Sequence, residues 1–153
     1  MKVLLADDSE LLRERLAALV REVEDVEVIG ETGDIFELLE LILRLEPDVV
    51  LLDIQMPGGN GIQALEAIKK MPGAPVVIML AAFSYPQYRK KCLEAGAEFF
   101  FDTATEFDLV IGVLKQLQDI FAEGQQHIPE AQKAAKPSPY PLKKWWDLSL
   151  AKV

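Results

Sequence analysis

Five short apolar segments alternate with five helical patterns over roughly the first 120 residues. The segments are KVLLA, VEVIGE, DVVLLD, PVVIML and EFFF, at residues 2–6, 26–31, 48–53, 75–80 and 98–101. The first, third and fourth are almost continuously apolar, which is typical of strands that are covered on both faces. Between the segments, leucine and isoleucine recur at helical spacing. This alternation predicts an α/β fold with a doubly wound, five-stranded parallel sheet.

Three aspartates stand at predicted strand ends. Asp7 and Asp8 follow the first strand directly, and Asp53 ends the third. Ligands of doubly wound sheets bind beyond the carboxyl ends of the strands, near the point where the strand order reverses. If these two strands are neighbours, the three carboxylates meet, and close anions with hard oxygen ligands favour Mg²⁺. The alternative is that the acids simply face water, but the MPGGNG stretch after Asp53 argues against it.

Charge and cysteine content narrow the class of protein. The net charge is −9 and the isoelectric point about 4.6. This predicts no generic binding to nucleic acid or to anionic membranes, both of which require positive charge. Cys92 is the only cysteine, so no internal disulfide is possible. No apolar run reaches the roughly 18 residues of a membrane span, and we expect a soluble, cytoplasmic protein.

The composition changes near Ala122, where we place a domain boundary. Residues 1–121 carry 11 Lys and Arg against 22 Asp and Glu, whereas residues 122–153 carry five Lys against three acids. The second part is a proline-containing tail that holds both tryptophans, Trp145 and Trp146. Neighbouring tryptophans are costly to leave in water. We therefore expect the tail to pack on its own domain, on a second subunit or on a partner protein.

Three stretches, LLADDSE, LLDIQMPGGNGIQAL and GAEFFFDTATEF, occur in an order and at separations that resemble the receiver domain of bacterial response regulators. The resemblance covers about residues 1–121 and implies the flavodoxin-like (βα)5 fold with strand order 2-1-3-4-5. It also implies that Asp53 accepts a phosphoryl group from the phosphohistidine of a sensor kinase. Mg²⁺ would be held by Asp7, Asp8, Asp53 and the backbone carbonyl of Gln55. Phosphoryl transfer depends on positioning and charge neutralisation, and the metal supplies much of the latter.

Two positions depart from the pattern of that family. Receivers usually carry Thr or Ser after the fourth strand, where this chain has Ala81, and Lys after the fifth strand, where it has Thr103. Alanine has no donor and threonine has no positive charge. Phe100 matches the aromatic switch position but would lack its usual trigger. We predict that Asp53 is phosphorylated slowly, if at all. We also predict that the coupling of its phosphoryl group to the protein surface is weaker still.

The missing lysine also leaves the acidic cluster one positive charge short. The carboxylates would then bind a cation more strongly, or one of them would have a raised pKa because like charges repel. The sequence does not distinguish these two outcomes.

Arg89, Lys90 and Lys91 form a basic run on the predicted fourth helix. The run is either an ordinary solvated helix face or part of an interaction surface. The resemblance implies that the fourth helix, fifth strand and fifth helix form a partner or dimer face. The implied partners are a sensor histidine kinase or phosphotransfer protein and a downstream protein, and a homodimer would form through this face or the tail.

Three functions are compatible with these observations. The first is a stand-alone receiver-type signalling protein of a two-component phosphorelay, with no enzymatic turnover beyond phosphorylation and dephosphorylation of Asp53. The second is a pseudo-receiver, an interaction module regulated by partner binding. The third is a phosphatase-like hydrolase, which is weakened because the haloacid-dehalogenase pattern requires D-x-D where this chain has Asp7-Asp8.

Overall fold

A computed structural model of the chain describes residues 1–82 and 85–126, with side chains placed as far as Gly124. The predicted tail segment with Trp145 and Trp146 lies outside the described residues. The last helix continues to Gln126, past the boundary that composition suggested near Ala122.

Five long strands and a short hairpin form within the described residues. The strands are β1 (Lys2–Ala6), β2 (Glu27–Thr32), β3 (Val49–Asp53), β4 (Gln55–Met56), β5 (Gly59–Asn60), β6 (Val76–Ala81) and β7 (Phe99–Asp102). The helices are α1 (Glu10–Arg21), α2 (Ile35–Leu45), α3 (Gly61–Lys69), α4 (Pro86–Glu94) and α5 (Phe107–Gln126). Every predicted strand is formed, with its ends within one residue of the prediction.

The five long strands form one sheet in the order β2-β1-β3-β6-β7, and every neighbouring pair is parallel. Counted among the long strands alone, this is the predicted order 2-1-3-4-5. The strand order reverses at β1, whose neighbours are β2 and β3. The fold prediction is therefore confirmed, and the carboxyl ends of β1 and β3 lie side by side.

Residues of the sheet alternate between two buried layers. One face packs against α2, α3 and α4 through Leu4, Ala6, Val50, Leu52, Val77 and Met79. The other face packs against α1 and α5 through Val3, Leu5, Val49, Leu51, Val76 and Ile78. Because both faces are covered, the central strands β1, β3 and β6 must be apolar at almost every position, as the sequence is.

The β4–β5 hairpin follows the end of β3 directly and was not predicted. Gln55 pairs with Asn60 and Met56 pairs with Gly59, which leaves a loop of Pro57 and Gly58. Gly58 has a φ of 90°, and proline followed by a glycine with positive φ is typical of a type II turn. Asn60 then accepts a hydrogen bond from the backbone N–H of Ile62 at 2.8 Å and caps α3.

Two further sequence observations concern the rest of the described chain. Cys92 is fully buried, and burial raises its pKa to about 11, so it is a core residue and not a reactive thiol. Among the described residues, none of the helices has the length and apolar character needed to cross a membrane.

Candidate functional site

The three strand-end aspartates converge at one edge of the sheet. Asp7 and Asp8 follow β1, Asp53 ends β3, and the two strands are hydrogen-bonded neighbours. One carboxylate oxygen from each residue lies within 4.8 Å of the others. The topology alone explains this arrangement, because neighbouring parallel strands end at the same edge of the sheet.

Asp7 is the buried member of the cluster, with only 1% of its surface exposed. Its Oδ1 accepts a hydrogen bond from the backbone N–H of Ser9 at 2.8 Å. Its Oδ2 is buried and meets no hydrogen-bond donor among the described residues. A buried carboxylate oxygen without a donor is costly unless a cation or another ligand compensates it. Asp7 therefore has the environment of a ligand for a cation.

Asp53 is half-buried, and its Oδ1 accepts a hydrogen bond from the backbone N–H of Gln55 at 3.3 Å. Burial, followed by the charge of Asp7 and then that of Asp8, raises the pKa of Asp53 from 3.8 to about 7. The pKa of Asp7 is also raised, mainly by burial. The raised carboxylate pKa is one of the two outcomes expected from the sequence, but its largest cause is burial and not the absence of a lysine.

Arg13 and Gly61 also shape the site, and of these two only Arg13 was not predicted to do so. The Arg13 guanidinium donates a hydrogen bond to the backbone carbonyl of Asp7. Its positive charge offsets part of the rise in the pKa of Asp7 that burial causes. Gly61 is buried, and its N–H donates to the carbonyl of Ile54 at 2.7 Å. The spacing of Arg13 does not distinguish it from other α1 arginines, whereas Gly61 is the last residue of the MPGGNG stretch and belongs to the motif that carries the family resemblance.

Ala81 and Thr103 are hydrogen-bonded to each other beside the cluster. Ala81 follows Leu80, the residue of β6 that pairs with Asp53 in the sheet register. The backbone N–H of Thr103 donates to the Ala81 carbonyl at 2.8 Å, and the Thr103 hydroxyl donates to the same oxygen at 3.2 Å. At these two positions the chain therefore offers a methyl group and a hydroxyl that is already hydrogen-bonded to backbone, and no positive charge.

Phe100 is buried on β7, with 2% of its surface exposed. The Arg89 guanidinium lies over its ring at 5.0 Å from the centroid and donates to the Phe100 carbonyl at 3.3 Å. Arg89 also pairs with Glu106, whose carboxylate accepts a hydrogen bond from the backbone N–H of Asp102. Arg89 thus links α4 to β7 and to the segment that leads into α5.

The three residues of the basic run occupy different environments. Arg89 is half-buried, whereas Lys90 and Lys91 are exposed. Lys90 lies 3.9 Å from Glu94, and since both side chains are largely exposed this pair contributes little. A groove of about 460 Å³ is lined by Pro86, Arg89, Lys90 and Leu93, away from the aspartates.

The raised pKa of Asp53 predicts a pH-dependent difference between the unmodified protein and Asp53→Asn in the presence of a chelator. The folded protein retains the Asp53 proton up to about pH 7, whereas the unfolded chain releases it near the ordinary pKa of 3.8. In this interval the folded state binds more protons, so its stability falls as the pH rises. Asp53→Asn lacks this titration and should become progressively more stable than the unmodified protein over the same interval.

Urea unfolding at intervals between about pH 3 and pH 8, a range that includes both 3.8 and about 7, measures this difference. Asp25→Asn removes an exposed aspartate outside the cluster and serves as the control for the loss of one negative charge. A difference between Asp53→Asn and the unmodified protein that does not change with pH would contradict the electrostatic description of the cluster.

Comparisons with known proteins agree on one family. The family model described as the response regulator receiver domain matches residues 3–110. Sensory transduction protein LytT of Bacillus anthracis is 32% identical over 116 residues, which are 76% of this chain and 46% of that protein. Transcriptional regulatory protein LiaR of Bacillus subtilis is 40% identical over 97 residues, which are 63% of this chain and 46% of that protein. The chain thus spans about half the length of these curated relatives.

A crystal structure of the response regulator domain of Thermotoga maritima CheB has the same fold. It superposes with a TM-score of 0.66 at 29% identity, and the match covers 84% of this chain and 98% of that domain.

Proposed function

The chain belongs to the response regulator receiver domain family of two-component signalling, and we propose that Asp53 is its phosphoacceptor, that the acidic cluster binds Mg²⁺, and that its response to phosphate is impaired. The observation that carries the proposal is the convergence of three carboxylate oxygens within 4.8 Å at the ends of β1 and β3. That it acts without a further output domain stays a prediction.

The donor set of the cluster fits a hard divalent cation. All its ligand atoms are oxygens, the formal charge is strongly negative, and the buried Oδ2 of Asp7 meets no donor among the described residues. Asp7, Asp8, Asp53 and the backbone carbonyl of Gln55 would hold Mg²⁺. When bound, the ion would supply neutralisation of the charge on the phosphoryl oxygens.

Asp53 supplies the nucleophile. An oxygen of its carboxylate attacks the phosphorus of a phosphohistidine or of a small phosphodonor. The new O–P bond forms as the bond to the donor breaks, and the electron pair leaves with the donor group. The backbone N–H of Gln55 orients the carboxylate through Oδ1. Because the pKa of Asp53 is raised to about 7, a nearby positive charge would increase the fraction of the reactive anion at neutral pH.

Impaired response to phosphate rests on Ala81 and Thr103. Neither side chain supplies a positive charge, and the Thr103 hydroxyl is already hydrogen-bonded to the Ala81 carbonyl. This internal hydrogen bond also supports a second function, that of a pseudo-receiver whose state is set by partner binding. Family membership, in turn, disfavours the phosphatase-like hydrolase.

A sensor histidine kinase or phosphotransfer protein and a downstream protein are the partners that we propose. A homodimer through α4, β7 and α5, and a cytoplasmic location, stay predictions. Arg89 is half-buried and paired with Glu106, so the exposed positive charge of α4 comes from Lys90 and Lys91.

Titration calorimetry with Mg²⁺ tests the metal-binding part of the proposal. We expect one binding site in the unmodified protein and an affinity at least about 10-fold weaker in Asp8→Asn. Even the loss of a residue that only hydrogen-bonds to a metal ligand lowers the affinity for the metal about 10- to 100-fold. Asp25→Asn removes an equal charge at an exposed position away from the cluster and should bind as the unmodified protein does. Equal affinity in Asp8→Asn would show that Mg²⁺ binds elsewhere.

A further inference from the structure

Helix α2 presents apolar side chains to solvent as well as to the core. Its inner face is buried and consists of Ile35, Leu38, Leu41 and Ile42. On the outer side, Phe36 is 67% exposed and Leu43 is 70% exposed. These positions are seven residues apart and therefore share one face of the helix, with half-buried Leu39 beside them. We refer to Phe36, Leu39 and Leu43 as the α2 stripe.

The α2 stripe reaches the hairpin that follows Asp53. The backbone N–H of Ile35 donates to the Pro57 carbonyl at 3.4 Å. A Cβ atom placed on Gly58 would lie 3.2 Å from the Phe36 ring, so this ring covers the turn of the hairpin. Pro57 is itself exposed and extends the apolar surface. An occupant of the stripe would therefore sit next to the acceptor loop.

The surroundings of the α2 stripe are acidic. Glu37 and Glu40 are exposed on the same helix, against one exposed cation, Arg44. Residues 1–126 carry 11 Lys and Arg against 23 Asp and Glu, a net charge of −12. In a two-fold dimer the same patch contacts itself, which would bring the acids of both copies together. The stripe therefore fits an apolar and cationic occupant better than a second copy of itself.

Such an occupant is encoded further along the same chain. Residues 127–153 carry five Lys against two acids, a net charge of +3. The stretch LKKWWDLSLAKV at residues 142–153 places Lys143 and Lys144 directly before Trp145 and Trp146. Its apolar residues and adjacent lysines complement an apolar stripe that is bordered by glutamates.

Chain length permits this contact within one molecule. Trp145 lies 19 residues beyond Gln126, the end of α5, and such a segment can span up to about 60 Å. A folded domain of this size has a radius of gyration of about 14 Å, so the segment reaches any point of its surface. Tethering also gives an effective concentration of about millimolar, which favours the intramolecular contact over a bimolecular one.

We propose that residues 142–153 dock on the α2 stripe of their own domain, with the tryptophans on Phe36 and Leu43 and the lysines beside Glu37 and Glu40. The docked segment covers the apolar surface next to the acceptor loop. The inference goes beyond the proposed function and does not depend on phosphorylation or on Mg²⁺.

Tryptophan fluorescence tests the proposal, because both tryptophans of the chain are in the segment that docks. We compare the full chain with the double variant Phe36→Ser, Leu43→Ser, in buffer without Mg²⁺ or phosphodonor. In the unmodified chain we expect emission shifted to the blue of the urea-unfolded chain, and protection from quenching by acrylamide. In the double variant we expect a red shift and loss of that protection.

The matched control is the double variant Leu11→Ser, Leu109→Ser, which removes two exposed leucines from α1 and α5. It should keep the emission and the protection of the unmodified chain. All four positions are exposed, from 49% at Leu109 to 70% at Leu43. Both double variants should therefore fold, and far-UV circular dichroism verifies that they do.

Three results would overturn the proposal. The first is tryptophan emission in the unmodified chain that already matches the urea-unfolded chain. The second is protection that survives in the Phe36→Ser, Leu43→Ser variant. The third is protection that is lost on dilution, because this would assign the tryptophans to a second copy. Since no phosphodonor is present, failure of Asp53 to accept a phosphoryl group leaves the outcome unaffected.

Discussion

The double substitution Ala81→Thr, Thr103→Lys is expected to raise the rate of phosphoryl uptake by Asp53 by about 100-fold or more, because one preorganised donor to a developing anion contributes about 3 kcal/mol. The two gains need not add, since both side chains would act on the same group. The backbone hydrogen bond from Thr103 to Ala81, at 2.8 Å, does not depend on either side chain, so the strand ends should remain in place. Intact-mass time courses with Mg²⁺ and acetyl phosphate measure the rate.

A control variant distinguishes the effect of a donor at position 103 from the effect of an added positive charge elsewhere. Thr105→Lys makes the same side-chain change two residues further on, at an exposed position. It should leave the rate within a few-fold of that of the unmodified protein. If this control accelerates uptake as much as the double substitution does, or if neither variant accelerates it, Ala81 and Thr103 are not the cause of slow phosphorylation.

The substitution Gly61→Ala is expected to destabilise the protein strongly and to disturb the acceptor loop. An added Cβ would lie 2.7 Å from the Cα atom of Ile54 and closer still to the carbonyl oxygen of Asp53. Both neighbours are backbone atoms, so the clash cannot be relieved by a side-chain rotation. Overpacking of this kind costs about 3 kcal/mol, which lowers the melting temperature by about 10 °C in a domain of this size.

The glycine of α5 provides the comparison for this variant. Gly112 is exposed, and a Cβ added there meets nothing within 4 Å. Gly112→Ala should therefore raise the stability by about 0.5–1 kcal/mol, as expected for a helix interior. A melting temperature of Gly61→Ala equal to that of the unmodified protein would show that the loop adjusts without cost.

The long strands could be predicted because each carries its own signal. Strands β1, β3 and β6 are apolar at nearly every position and fully covered, and this pattern alone predicts a parallel sheet. The β4–β5 hairpin has only two residues in each strand, which is too short for any periodicity. Its turn residues, Pro57 and Gly58, were visible in the sequence, but they do not specify a pairing.

The candidate site could be predicted only as far as chain topology determines it. Asp7 and Asp53 meet because β1 and β3 are neighbours, which follows from the fold. The buried Oδ2 of Asp7 and the hydrogen bond between Thr103 and Ala81 depend on side-chain packing, which the sequence pattern does not contain. Arg89 shows the same limit, because a basic run on a helix does not reveal that one member covers Phe100 and pairs with Glu106.

The most direct test of the central claim is the time course of phosphoryl uptake by the unmodified chain with Mg²⁺ and acetyl phosphate, measured by intact mass beside Asp53→Asn. We predict a slow gain of a single phosphoryl group that is absent from Asp53→Asn and is abolished by a chelator. Rapid, near-complete uptake by the unmodified chain, or uptake that persists in Asp53→Asn, would contradict a receiver whose metal-binding acids are intact and whose response to phosphate is impaired.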